Sequence, residues 1–412
     1  MVLSIAWKNV WRNKLRSTIV IVSIAIGLIG GVFYLAFVKG MVQQQVNSTI
    51  KTEVSNIQIH HPQFLVNEEI KFMIDNHEKI LQEIRKLPEV EAATSRIISP
   101  AMASSAITGT GIKLVGIDVK EEKQISCINS LIIKGNYFNT KVKNSAVIGE
   151  KLATKLNVKI KSKIVVTTQN IQGDIIYNAF RVVGIFKTHN TAFDQSTVFV
   201  LKKDLSKMLD FDLTKATEIS VLLRHNKFTE TVAKKIKTLL NNKIKQNKIV
   251  VQTWEDIRPA LKMMNDMTGQ ITMIFVIIIL VALSFGIINT MLMAIMERVR
   301  EIGMLMAIGM NKGKIFLMIL FETLFLSVTG GILGLLFSWI LINITGITGI
   351  DLSVLAEGLN SMGYSSFVYP ELDFYYYALI GLLVVATAVF ASIMPARKAL
   401  KFNPAEAVRH DA

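Results

Sequence analysis

The chain has 412 residues, 51% of them hydrophobic and 19% charged, with a mean hydropathy of +0.43 and a formal net charge of +15. These values suit an integral membrane protein that carries a large aqueous part, because the charged fraction is too high for a bundle made only of membrane spans. The basic residues divide between membrane-flanking clusters and one mixed-charge domain without an aromatic-interleaved basic strip, which argues against nucleic acid as a partner, and the single Cys127 excludes an intramolecular disulfide.

In residues 1–16, Leu3, Trp7, Val10 and Trp11 share one helical stripe while Lys8, Arg12 and Arg16 lie off it. This predicts a short amphipathic helix in the cytoplasmic membrane interface, with indoles at headgroup depth. Residues 17–42 hold the first apolar run, expected as an uncleaved anchor because it exceeds the roughly 7–15-residue core of a secretory signal. Gly27, Gly30 and Gly31 permit another helix to approach closely.

Residues 43–267 form an aqueous insert with 33 Lys and Arg against 22 Asp and Glu, so it holds most of the net charge. Runs rich in β-branched residues at 54–60, 112–118, 163–169, 180–186, 196–201, 218–223 and 248–254 predict strands. Helical spacing recurs at 77–87, 149–156, 202–209 and 229–240. The expectation is an α+β domain of two lobes. Residues 110–200 make the strand-rich lobe, and the flanks 43–109 and 201–265 make a helix-bearing one. His60 and His61 lack further metal-ligand spacing and are expected at a strand end facing solvent, and Cys127 as a small half-buried residue beside Ile125 and Ile128.

Residues 268–296 are the second span, uncharged from Ile271 to Met296. Residues 297–314 are a charged, helix-prone connector, and 315–344 the third span. Residues 345–373 read as a polar loop whose Tyr369, with Tyr375, Tyr376 and Tyr377 just beyond, suits an interfacial aromatic belt. Residues 374–394 are the fourth span and 395–412 a short basic tail, helical after Pro395. The expected fold class is therefore membrane α-helical, four transmembrane helices with a large α+β extracytoplasmic domain inserted between helices 1 and 2.

Three basic clusters set the topology: Lys8, Arg12, Lys14 and Arg16; Arg298, Arg300, Lys312 and Lys314; Arg397, Lys398 and Lys401. With four spans all three fall on one side, which the positive-inside rule makes cytoplasmic together with both termini. The insert then lies outside despite its own charge, since long domains translocate largely regardless of it.

No GxxxxGK[ST] phosphate loop occurs in these residues, nor an argued nucleophile, base, metal site or cofactor fingerprint, so the chain is read as non-catalytic and binding no cofactor itself. Glu322 stands inside the third span, where a carboxylate is costly. It is either a relay on a substrate path or a packing group near the cytoplasmic end of the span; its position favours packing. In the connector, Glu297 and Arg300 are spaced to pair across a turn, Ile302, Leu305, Met306 and Ile308 supply an apolar side, and Gly303 and Gly309 allow close approach or a bend. Such a helix suits docking into a groove on a partner.

The run MERVREIGMLMAIGMNKGKIFLMILFE resembles the signature of FtsX-like, MacB-type ABC transporter permeases, as do AWKNVWRNKLRSTIVIVSIAIG near the start and PARKALKFNPAEAVR near the end. GEKLATKLNV and FRVVGIFKTHNTAFDQSTVFV look most like the lipoprotein-releasing branch. Met306 departs from the family, which often has a basic residue there. The resemblance implies an inner-membrane permease subunit working as a dimer with an identical or homologous second permease. ATP and Mg would be bound by two copies of a separate ABC ATPase subunit, docked around Glu297, Arg300, Glu301, Gly303, Ala307 and Gly309. The work implied is mechanotransmission to the outer domain, with release of a lipoprotein cargo to a periplasmic carrier. Adaptor-dependent export of peptides, drugs or lipids, and transmembrane signalling or control of a cell-wall hydrolase, are the alternatives. An ion-coupled transporter built on Glu322 is a further one.

Overall fold

The computed structural model describes residues 2–138 and 142–401. Residues 402–412, which hold most of the expected tail helix, lie outside the described residues. In chain order, helix α1 (Val2–Arg12) is followed by α2 (Lys14–Thr49), which continues into a π-helical turn over Ile50–Val54. Then come β1 (Ile57–His60), α3 (Phe64–Asn67), α4 (His77–Ile84), β2 (Val90–Ser104), β3 (Gly109–Ile117), α5 (Val119–Ile125), β4 (Ile132–Gly135) and β5 (Ser145–Gly149). They lead to α6 (Glu150–Lys155), β6 (Lys163–Gln169), β7 (Ile175–Phe186), α7 (Thr191–Ser196), β8 (Thr197–Leu201), α8 (Lys202–Leu209) and β9 (Glu218–Leu223). The insert closes with α9 (Thr229–Leu239), α10 (Asn241–Lys245), β10 (Val250–Thr253) and α11 (Trp254–Ile257). The remainder is α12 (Pro259–Glu297), α13 (Val299–Ala307), α14 (Lys312–Thr348), β11 (Ile350–Asp351), α15 (Ala356–Ser361), β12 (Phe367–Val368) and α16 (Phe374–Ala399).

Two compact units result. Among the described residues, one gathers 2–42, 266–351 and 367–401, the other 43–265 with 352–366. The fold class is four transmembrane helices, α2, α12, α14 and α16, with the α+β domain inserted between the first and second; all four are long and apolar enough to cross a bilayer.

In the membrane unit the glycines set the packing. A Cβ on Gly330 would meet Ile21 O and Ile24 Cβ at 3.0 Å, and one on Gly334 would meet Leu28 Cβ at 2.9 Å. Helices α14 and α2 therefore touch backbone to backbone, as small residues permit in lipid. Gly31 faces Ile279 and Gly27 faces Leu283 of α12, whereas Gly30 faces open space. Leu28, Val32, Ile319, Leu326, Ile380 and Val384 fill the shared core. Pro395 lies buried inside α16, which continues to Ala399, so the helix does not stop or restart at this proline. Residues 345–373 are not a plain loop either. Helix α14 runs to Thr348, β11 pairs with β12, and the intervening 352–366 join the aqueous unit and include α15.

The aqueous unit is built on a ten-stranded sheet of order β10-β1-β9-β2-β3-β8-β5-β7-β4, with β6 pairing β2 and β7. Ile59, Val221, Ile80, Leu81, Val232 and Ile236 form the core of one lobe beneath α4 and α9. Leu114, Ile148, Leu152, Phe180, Val198 and Leu205 form that of the other. The discontinuous lobe drawn from both flanks is present, with two corrections. The 15-residue β2 pairs β9 in its first half and β3 in its second, and α8 packs its Leu205 and Leu209 into the strand-rich lobe. Expected strands appear at all seven positions; β2, β4 and β5, with weaker β-branched patterns, were not anticipated.

His60 is a further correction. It is 3% exposed rather than solvent-facing, with Nδ1 3.2 Å from Thr217 O and Nε2 2.9 Å from Gln58 Oε1. Beside it Arg96 donates to Glu122 at 2.6 and 3.0 Å and to Glu218 at 3.1 Å, inside the sheet where β2 changes partners. Burial holds the His60 imidazole below its ordinary pKa, so it is neutral there. Cys127 is half-buried. Among the described residues no group of three or more metal-ligating side chains forms.

Candidate functional site

The charged connector folds as α13, set off from α12 by a break at Arg298 and from α14 by a sharp turn. Its end is a Schellman motif: Met310 N donates to Leu305 O and Gly309 N to Met306 O, both at 3.0 Å. Gly309 sits at φ +93°, a left-handed conformation that glycine adopts without strain. Asn311 then caps α14 by accepting from Gly313 N at 3.0 Å.

One side of α13 is held. Ile302 and Gly303 are buried, and Ile302 joins the membrane core with Met306 against it. Arg298 Nη1 donates to Glu322 Oε1 at 2.8 Å, and its Nε to Glu301 Oε2 at 2.9 Å. Glu301 also accepts from Arg12 Nη2 at 2.6 Å, and Arg16 pairs with Glu297. Burial would lower the Arg298 pKa, but Glu322 and Glu301 override it and hold the guanidinium charged. Burial would raise the Glu301 carboxyl, and Arg12 and Arg298 keep it below its ordinary value. Arg12 and Glu301 are about half exposed, so that pair contributes little to stability; Arg298 and Glu322 are mostly buried and matter more.

Helix α1 lies on α14. Ala6 and Val10 are buried, Trp7 packs edge-on to Phe325 at 5.2 Å between centroids, and Asn9 Nδ2 is 3.8 Å from Met318 Sδ. Ser17 donates to Val10 O, closing the corner between α1 and α2. Leu3, Trp7 and Trp11 remain about half exposed, so the predicted stripe divides between packing and surface.

The other side of α13 is open. Arg300, Met304, Ala307, Ile308 and Gly309 are exposed, Ile308 at 85%. The site residues anticipated from sequence thus fall into three sets. Arg300, Ala307 and Gly309 face outward, Glu297 is engaged by Arg16 of α2 and Glu301 by Arg12 of α1, and Gly303 is buried. The expected Glu297–Arg300 pair is replaced by Arg16–Glu297, because the break at Arg298 removes the turn that would align them. Met304 and Ile308 present the apolar side, not Ile302. Arg12, Arg16 and Arg298 were missed as site residues; their positions opposite acidic residues on other elements are not visible in local spacing. Glu322 is brought to the site by Arg298, a partner 24 positions away.

Comparisons with known proteins bear on the same segments. A model of the MacB-like periplasmic core domain matches residues 17–239, and one of the FtsX-like permease C-terminal region matches 273–404. An uncharacterized ABC transporter permease of Methanocaldococcus jannaschii is 30% identical over 249 residues, 58% of this chain and 57% of that protein. The lipoprotein-releasing system transmembrane protein LolC of Buchnera aphidicola is 26% identical over 267 residues, covering 63% and 64%. The macrolide export ATP-binding/permease protein MacB of Escherichia coli is 25% identical over 419 residues, 98% of this chain and 59% of that protein. The chain thus spans less than two thirds of the length of these relatives. Among solved structures, the periplasmic region of MacB from Actinobacillus actinomycetemcomitans aligns at TM-score 0.37 and 12% identity, over 53% of this chain and 98% of that one.

Proposed function

Since the chain belongs to the FtsX-like permease family with a MacB-like periplasmic core domain, we propose that it is the membrane subunit of an ATP-driven transporter whose motor docks on the open side of α13. The observation that carries this reading is the division of α13 itself. Arg298 and Ile302 fasten one side to the membrane unit, while Arg300, Met304, Ala307 and Ile308 stay free. A helix held on one side and bare on the other passes a push from a partner into the spans it adjoins. The exposed cations Arg300, Lys312 and Lys314 and the apolar Met304 and Ile308 fit an apolar groove with an acidic rim. We place ATP and Mg on that partner, a separate ABC ATPase present in two copies, because these residues contain no phosphate loop.

The work done is movement of the aqueous domain, and α2 and α12 lead directly into its two ends. We read the assembly as a permease dimer in the inner membrane with the domain on the periplasmic side and both termini cytoplasmic. Release of lipoproteins to a periplasmic carrier is the cargo reading, supported by the LolC relative. Macrolide-type export through an adaptor is supported by the MacB match along nearly the whole chain. The pairing of Glu322 with Arg298 favours an anchoring role for this carboxylate over ion coupling.

Co-expression with the ATPase subunit tests the docking face. Arg300→Glu combined with Ile308→Asp is expected to abolish co-purification, whereas Glu297→Gln, whose carboxylate is engaged by Arg16, weakens it only modestly. Retention of the ATPase by the first variant would remove α13 as the docking element. A lipid-modified protein trapped with the complex would choose lipoprotein release over export.

A further inference from the structure

Glu53, in the π turn that ends α2, has a side chain only 4% exposed, and each of its oxygens is held by a different part of the chain. Oε2 accepts from Arg258 Nη2 at 2.9 Å, the residue just before α12 begins. Oε1 accepts from Asn190 Nδ2 at 2.7 Å. Asn190 in turn caps α7, its Oδ1 accepting from Ala192 N at 3.0 Å and Phe193 N at 3.3 Å. Around this carboxylate Val46, Ile50 and Val54 share an apolar cluster with Ala92, Leu222, Trp254 and Leu261.

A third segment reaches the same place. The connection between α14 and α16 sends residues 352–366 into the aqueous unit. There Gln45 Nε2 donates to Met362 O at 2.9 Å. Gly363, at φ +81°, has Gln45 Nε2 at 3.2 Å and Asn190 Cγ at 4.0 Å from where a Cβ would stand. The end of α2, the start of α12 and the α14–α16 connection therefore converge on Glu53 and Asn190. Every segment by which the aqueous unit joins the membrane unit belongs to one of these three.

We propose that Glu53 and Asn190 form a joint that makes these three segments act on the strand-rich lobe together, so that the connection at 352–366 is a third mechanical input beside the two long helices. A buried carboxylate suits this task, because losing either donor leaves a desolvated charge and the other contact is strained at once. Glu53 is a positioning residue. The inference rests on the transport reading only for its role under ATP, not for the existence of the joint.

Two arms test it on the full chain in lipid nanodiscs. In the first, without nucleotide, hydrogen exchange is compared for wild type, Glu53→Gln and Asn190→Ser. Serine keeps the α7 cap but cannot span to Glu53, so it guards against a general folding defect. Both variants are expected to speed exchange about tenfold in 190–194, 258–262 and 359–364 together. Faster exchange confined to the mutated segment, or none, would overturn the joint. In the second arm, with the ATPase subunit bound, maleimide reacts with Cys127, the only thiol, whose backbone N–H donates to Lys51 O at 3.0 Å beside the joint. ATP with vanadate is expected to change the wild-type labelling rate, and Glu53→Gln to suppress most of that change while hydrolysis continues. An equal change in both proteins would overturn the coupling role. No change in wild type would instead count against the transport reading, and the exchange arm would still decide the joint.

Discussion

Single residues show how burial is made tolerable in this chain. Arg298 and Glu322 are each costly alone at the edge of a membrane unit, and at 2.8 Å each offsets part of the other's penalty. Asp194 is held by hydrogen bonds instead, with Lys187 acting on it only weakly. It is 2% exposed and accepts from Thr188 N at 2.9 and 3.1 Å and from Thr188 Oγ1 at 2.7 Å. Burial outweighs these bonds and pushes its pKa from 3.8 up to about 6. The folded state therefore holds this proton more tightly than the unfolded chain. That stability is fully present below pH about 4 and is lost as pH rises through about 6, an effect of at most about 3 kcal/mol. Asp194→Asn is expected to flatten this part of the pH profile, read as the thermal midpoint of the purified protein between pH 4 and 7. An unchanged slope would mean that Asp194 does not carry it.

At the scale of elements, the contact between α2 and α14 depends on glycine. The Cβ of any residue at 334 would meet Leu28 Cβ at 2.9 Å and Ala25 Cα at 3.1 Å. Both helices are apolar all round, so hydrophobicity does not tell them which faces to bring together, and close backbone approach does. Gly334→Ala should cost about 1–2 kcal/mol of helix-bundle stability, and Gly334→Leu more, by overpacking. Gly30→Ala, facing open space, is the control and should be near neutral. Unfolding of the purified chain in mixed detergent micelles reads all three. The same elements show where local pattern was enough. Strands at 163–169 and 218–223 and the helix at 202–209 were legible from β-branched runs and apolar spacing. Strand β2 was not, because Ala, Ser, Thr and Pro dominate it and its strand character comes from neighbours β9, β3 and β6 on both sides.

For the whole molecule, the arrangement of charge predicts sidedness. On a Cys127→Ser background, a cysteine at exposed Lys151 should react with an impermeant maleimide in right-side-out vesicles, and one at exposed Met304 only in inverted ones. Labelling of both from the same side would overturn the orientation and, with it, access of a cytoplasmic motor to α13. The four crossings between the two units make this more than a question of sidedness. Three segments run covalently into the inserted domain, α12, α2 and the strap at 352–366; α13 is continuous with α12 and α14, and the α1–α2 corner meets this region only through the ion pairs Arg12–Glu301 and Arg16–Glu297.

The spans, the inserted α+β domain and the presence of an exposed helix between the second and third spans were determined by sequence alone. Each is written in local quantities, the length of an apolar run, the return of charge and the period of a pattern. Pairings between distant segments were decided only by tertiary structure. Arg16 with Glu297, Arg298 with Glu322 and Glu53 with both Arg258 and Asn190 join residues from 24 to 281 positions apart. In a chain with 46 cations and 31 carboxylates, spacing along the backbone cannot say which will meet, because that depends on which helix faces the packing turns inward.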